Sequence, residues 1–332
     1  TDRTAGEMIA ELNRDTDDAN RSAEKHDVAS MQEAVNNVRS NREAIFKEAT
    51  KFTDEAYRTM FIEQAEIYVL IRDESGKVIT DKDNRPLRRK ISEEEKYHLK
   101  AGADGKVHIA NNGIFNDEGA AAKYASQHSK AEGEQYYIHF PEADNVSSEL
   151  MIAGYQKYLE GDIAGLTNAT TELKGIFDIY GKSGLHLDGH SRGSMTIGNA
   201  LESYLNRGDT RGMLSETTIK LFGPAFNVER ADTLLSMLQG RDLNDRFESK
   251  DLEVTFENHY LDPVGNLNGK NPSTGGTLPE GSFTFKEFLN VMFGDVTAHN
   301  CYGTGGEECQ KYWGDSKNGI AQPKPVSEYK KQ

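Results

Sequence analysis

Between residues 105 and 264 short β-rich runs alternate with amphipathic stretches, and no other feature constrains the fold of this chain as strongly. The runs read "KVHIANNGIF", "QYYIHF", "GLHLDGH", "TIKLFGPAF" and "LEVTFENHYLDPV". Helical periodicity fills the intervals over residues 118–130, 147–159, 163–181, 192–206 and 228–239. Strands joined through helices pair in parallel and bury both faces of their sheet. The fold class expected is therefore α/β, a mostly parallel sheet flanked by helices over residues 101–317.

The first 100 residues have a different character. Met31, Val35, Val38, Ile45, Phe46, Ala49, Phe52, Ala56 and Met60 recur every three to four positions, which predicts one long amphipathic helix from 29 to 66. It is expected to form an arm packed on the body, with a coiled-coil partner or a membrane surface as alternatives. "IYVLIRDESGKVITD" alternates around Ser75-Gly76 and predicts a small β-hairpin, and Ser92 with Glu95 forms a capping-box pattern. No internal repeat is evident, and residues 318–332 are expected to be a flexible tail.

One turn in the alternating region carries chemistry. "LHLD" reads as a buried strand, Gly189-His190-Ser191-Arg192-Gly193 as a turn, and "SMTIGNALESYL" as a helix. A serine on a strand-to-helix turn can hold a strained conformation because Gly189 and Gly193 remove the β-carbons that would collide, and the helix dipole favours an alkoxide there. Ser191 is the candidate nucleophile; the alternative is a structural glycine turn. A serine hydroxyl needs a base and an orienting carboxylate, in chain order serine, acid, histidine. Asp262, just past the end of a strand, is the candidate acid, and the alternative is a turn aspartate. His299 is the candidate base. His259 is its rival but reads as a packed strand residue, while His186 and His190 belong to the strand and turn of the serine itself. An oxyanion would need two donors. Arg192 offers the backbone N–H after the nucleophile, and Gly113 or Ile114, between a strand and a helix, the other.

Cys301 and Cys309 are the only cysteines. Their spacing across a glycine-rich turn predicts a short-loop disulfide and an extracytoplasmic setting, bracing the loop that holds His299, with two free thiols as the alternative. No His or Cys at ligand spacing supports them as a metal site, so neither metal nor cofactor is expected. The chain carries 54 Asp and Glu against 39 Lys and Arg, a net charge of −15. That field repels a phosphate backbone and argues against nucleic acid as a partner; "RPLRRK" at 85–90 reads as solvated surface. No apolar run reaches bilayer length and no signal-peptide core opens the sequence. The polar start without Met suggests a piece of something longer. The Gly- and Pro-rich stretch 265–282 is a candidate substrate loop or lid, and "FLNVMF" at 288–293 either core or acyl pocket.

"GHSRG", "NNGIF" and "LDPV" followed by "AHNCYG" resemble, in order, the elbow, oxyanion loop, acid and base of the α/β-hydrolase superfamily in its lipase and esterase branch. "KVHIANNGIFND", "YYIHFPEADN", "GHSRGSMTIGNALES" and "HNCYGTGGEECQKYW" look like the C-terminal effector region of two-partner-secreted filamentous haemagglutinins and contact-dependent growth inhibition proteins. The resemblance leaves the first 100 residues uncovered. It implies a carboxylic ester hydrolase, a lipase or phospholipase, exported as part of a larger secreted or cell-surface protein and acting in a target cell. A lipid or other ester substrate, a cognate immunity protein and a target membrane surface would be its partners. The rival expectation is a non-catalytic structural or adhesive module of a secreted haemagglutinin.

Overall fold

The computed structural model describes Glu33 and residues 65–111, 118–128, 133–139, 168–191, 193–241, 252–262, 264–276, 298–303 and 321–329. The long helix expected over 29–66 lies outside them except for Glu33, which is helical, and the first two residues of 65–111; the helix expected over 147–159 lies outside them entirely. Strands β1 (Glu66–Leu70), β2 (Arg88–Lys90), β3 (Val107–Asn111), β4 (Gln135–His139), β5 (Leu185–His190), β6 (Thr217–Phe222), β7 (Thr255–Glu257) and β8 (Lys324–Pro325) form one sheet in the order β2-β1-β4-β3-β5-β6-β7-β8. The five central strands, β4 to β7, are parallel, and antiparallel pairs close both edges. Helices α1 (Glu118–His128), α2 (Asn168–Tyr180), α3 (Gly193–Leu205) and α4 (Val228–Gln239) connect or follow these strands. The protein is thus a mixed, mostly parallel α/β fold.

Strand alternation gives this sheet two unlike faces. Ile109, Leu187, Ile219 and Phe256 point to one, where they are sealed by Phe177 of α2, Ile197 of α3 and Leu234 of α4 in the main core. Each such side chain removed from water contributes about 1.5–3 kcal/mol. The other face carries His108, His186, Asp188, His190, Thr218 and Lys220, which occupy the alternate positions of β3, β5 and β6. Its smaller apolar cluster joins Ala121, Ala122 and Ala125 of α1 to Ala110 and Tyr137. Alanines let α1 lie close over a surface that is largely polar.

Local signals set the helix limits. The Asn227 side chain accepts the Arg230 N–H at 3.0 Å and opens α4, and Gly240 at φ 76° closes it. Arg230 forms a buried ion pair with Glu202 and lies over the Phe226 ring, linking α4 to α3. Ser92 and Glu95 do form a reciprocal capping box, on a single turn of 3-10 helix at Glu95–His98.

The expected turn at Ser75-Gly76 is present, with Arg72 and Val78 bridged antiparallel across it, and two expectations are corrected, the absence of an internal repeat and the flexible tail. The hairpin strand β1 belongs to the main sheet, antiparallel to β4, and residues 71–87 beyond it form a tandem repeat. Asp73 and Asp81, eight residues apart, each accept two backbone N–H groups, from Ser75 and Lys77 and from Asp83 and Arg85. Gly76 and Asn84 occupy the matching left-handed positions at φ 85° and 58°. Ile71, Ile79 and Leu87 close the unit by donating to one another's carbonyls in a ring. The tail, finally, is docked: β8 pairs with β7, Val326 N–H donates to Val254 O, and Val326 is fully buried. A two-residue strand carries too short an alternation to be read from sequence.

Docking of the tail has a measurable consequence. Val326→Ala should lower the free energy of unfolding by about 1–3 kcal/mol in urea denaturation; an unchanged midpoint would mean that the tail stabilises nothing.

Candidate active site

The carboxyl ends of β5, β6 and β7 meet the segment 298–303, and the sequence-predicted nucleophile, acid and base lie there. Ser191 follows β5 directly and has φ 56°, a left-handed conformation that non-glycine residues adopt at a cost of order 1–3 kcal/mol. Its N–H donates to Phe222 O at the end of β6, and its carbonyl accepts from Ser194 N–H, Ser194 Oγ and Ala225 N–H. Those four bonds hold the turn against its strain. A β-carbon at Gly189 would lie 2.8 Å from Ile197 Cδ1 and 3.0 Å from Leu221 Cδ2, so β5 and α3 approach this closely only with glycine there. Gly193 is the first residue of α3 and is buried.

Asp262 is completely buried beyond the end of β7. Four donors satisfy its carboxylate. Oδ1 accepts Val264 N–H at 2.8 Å and Gly265 N–H at 3.3 Å; Oδ2 accepts His299 Nδ1–H at 2.8 Å and Tyr302 O–H at 2.5 Å. Burial pushes its pKa up, but His299 and these hydrogen bonds outweigh burial and hold it below the usual carboxylate range. Burial first and then the adjacent carboxylate push the Tyr302 hydroxyl far above its ordinary pKa, so it remains a donor. Tyr302 also accepts His259 N–H at 2.9 Å, and its carbonyl accepts from Gln127 of α1.

His299 receives its orientation from Asp262 on one side and His190 on the other. The two imidazoles stack with centroids 4.7 Å apart, and His190 Nε2–H donates to the His299 carbonyl at 2.7 Å. Burial, then the neighbouring His299, lowers the His190 pKa to about 3, so this ring is a neutral donor. His128 of α1 lies 4.8 Å beyond it and is likewise driven well below its ordinary value by burial. Gly223, the residue after Phe222, closes the gap: a β-carbon there would collide with Asp262 Oδ2 and lie 2.8 Å from His299 Nδ1.

The remaining expectations divide. His259 is buried and bridges to Gly275 rather than joining the Asp262 pair, as a packed strand residue would. Arg192, Gly113, Ile114, Cys309 and the segment 277–297, with "FLNVMF", lie outside the described residues. Cys301 is disulfide-bonded. The first half of the supposed lid is anchored: Asn271 receives Val228 N–H and donates to Pro224 O and Phe226 O. Tyr302 is the residue of the site that sequence reasoning missed, and His190, set aside there as part of the serine's own turn, proves to contact His299. Tyr302 sits three residues past His299, a spacing that marks one helical turn, and His190 is the residue before the serine. Among the described residues no helix is long and apolar enough to cross a membrane. Compared with protein-family models, curated proteins and solved structures, the chain gives no match.

The buried imidazoles give the fold a pH dependence of known sign. An unfolded chain binds protons at His128 and His190 below about pH 6.5 while the folded chain does not, so stability is complete above that pH and falls below it. Each ring contributes a slope of about 1.4 kcal/mol per pH unit. His190→Asn should reduce the slope of unfolding free energy between pH 6.5 and 5 by roughly that amount; a slope equal to wild type would show that His190 titrates normally in the fold.

Proposed function

We propose that this chain is a serine hydrolase of carboxylic esters that works through an acyl-enzyme. One observation carries the reading: a serine at φ 56° between β5 and α3 whose N–H is bound to Phe222 O, with Gly223, the next residue, packed against a histidine whose Nδ1 is held by a buried carboxylate. A strained serine on a helix-opening turn is costly to fold and is kept where its hydroxyl must be presented.

In the reaction, His299 Nε2 takes the proton of Ser191 Oγ as the oxygen bonds to the ester carbonyl carbon. Asp262 remains ionised and stabilises the imidazolium that forms. Backbone N–H groups at Arg192 and near Gly113 and Ile114 are the proposed oxyanion donors. Collapse of the tetrahedral intermediate breaks the bond to the alcohol, which leaves with the proton from His299. Water, deprotonated by the same base, then releases the acid and restores Ser191. Tyr302 and His190 are positioning residues: one fixes the carboxylate, the other the turn that bears the base.

The lipid-directed part of the proposal, a lipase or phospholipase delivered as a secreted toxin and held in check by an immunity protein, rests on the sequence resemblance alone. The steps above call on no metal or cofactor.

Hydrolysis of an ester series from short to long acyl chains, and of phospholipid vesicles, tests the reading. Ser191→Ala should lower kcat by at least about 10³-fold, and Asp262→Asn by a comparable factor. The profile over chain length would separate esterase from lipase, and wild-type turnover by Ser191→Ala would end the account. Reduction of the cystine at Cys301 is expected to lower turnover by loosening the segment that carries His299; full activity in excess dithiothreitol would remove the cystine from the mechanism.

A further inference from the structure

The polar face of the sheet carries a second cluster, on the amino-terminal side of Ser191. His108 of β3 and His186 of β5 are register partners, with ring centroids 4.9 Å apart. Asp188 lies two residues further along β5 on the same face and is almost wholly buried. One ligand atom from each of the three lies within 4.8 Å of the others.

The hydrogen bonds around these groups leave one buried lone pair, on His108, without a partner. Asp104 Oδ2 sits 2.8 Å from His108 Nε2. An ionised carboxylate only accepts, so Nε2 carries the proton and Nδ1 carries a lone pair. That Nδ1 is buried and has no hydrogen-bond partner, which costs about 1–3 kcal/mol for a group of this kind. His186 has Thr218 Oγ1 at 2.8 Å from Nδ1 and Asp188 Oδ1 at 2.9 Å from Nε2.

We propose that His108, His186 and Asp188 form a site for one divalent transition-metal ion, with Zn²⁺ as the fitting ion. His108 would ligate through Nδ1, His186 through Nε2 and Asp188 through a carboxylate oxygen, and water would take the fourth position. The donor set decides the class: two imidazoles and one carboxylate suit Zn²⁺, whereas Ca²⁺ and Mg²⁺ require oxygen ligands. Asp104 and Thr218 then serve as outer partners, each holding the ring nitrogen that does not face the ion, the arrangement that metal-bound histidines adopt. In the bound state the His186 proton resides on Nδ1 and donates to Thr218. The ion takes the place that the Nε2 proton has against Asp188. Bonds of about 2.0–2.1 Å bring tetrahedral ligand atoms to roughly 3.3 Å from one another, so the cluster closes by side-chain shifts of about 1 Å.

The ion would clamp β3 to β5. Strand β5 leads directly into Ser191, so the clamp would fix the strand that carries the candidate nucleophile from beneath without touching it.

Isothermal titration of the metal-free full chain with Zn²⁺ at pH 7.5 tests the site, with His108→Gln and His186→Gln in parallel and circular dichroism to establish that each is folded. The expected result is one ion per wild-type chain and affinity at least about 100-fold weaker in either variant. Co²⁺ loading of the wild type supplies an arm independent of the variants, because a four-coordinate nitrogen and oxygen site gives intense visible bands. No uptake of Zn²⁺ by the folded wild type, weak six-coordinate Co²⁺ bands, or undiminished affinity in both variants would overturn the proposal. Labelling of Ser191 by a fluorophosphonate in the same samples separates failure of this site from failure of the hydrolase reading.

Discussion

A carboxylate with no access to water, that of Asp262, is the constraint on which the carboxyl end of the sheet depends. An isolated buried charge would cost far more than the folded state can bear. Four hydrogen bonds make it tolerable here, and they come from three places: the turn after β7, His299, and Tyr302. Satisfying one side chain therefore orders the loop beyond β7 and the segment 298–303 together. Through the Tyr302 carbonyl and Gln127 the same network reaches α1 on the polar face. Gly223 completes it by leaving no β-carbon between the end of β6 and the Asp262–His299 pair.

The two faces of the sheet divide the labour of the molecule. One holds the apolar core that makes the fold stable, against α2, α3 and α4. The other is lined with titratable groups, and burial fixes the protonation of several of them. His190 is the clearest case: as a neutral ring it donates to the His299 carbonyl and stacks on its imidazole, whereas a positive charge there would oppose protonation of His299. The cluster of His108, His186 and Asp188 lies on this face as well, where His108 donates to Asp104 and His186 is hydrogen-bonded to Thr218.

How much of this was legible in the sequence depends on how local each signal is. The limits of α4 were legible because Asn227 and Gly240 are capping residues whose effect is felt within one turn. The left-handed turn at Ser191 was legible because such a turn demands glycine around it, and the pairing of Asp262 with His299 because the order of strands limits which residues can meet at the carboxyl end of the sheet. His108 and His186 are 78 positions apart in sequence and become neighbours only through the parallel register of β3 and β5. No spacing rule finds such a pair. Tyr302 was hidden for a related reason, since its partner is a carboxylate 40 residues away. The eight-residue repeat from 71 to 87 was present in the sequence but disguised, with glycine in one copy and asparagine in the other at the left-handed position. The docking of Val326 depends on tertiary burial that a polar, proline-containing segment does not advertise.

The central claim is that Ser191 is an activated nucleophile served by His299 and Asp262. Covalent labelling with a fluorophosphonate, followed by mass-spectrometric mapping of the adduct, tests it most directly, because the reagent reacts with a serine only when a base deprotonates it. The account predicts one adduct per chain, on Ser191, formed at a rate that collapses in His299→Asn while the fold is retained. A folded chain that takes up no label, or one labelled at another residue, would contradict it.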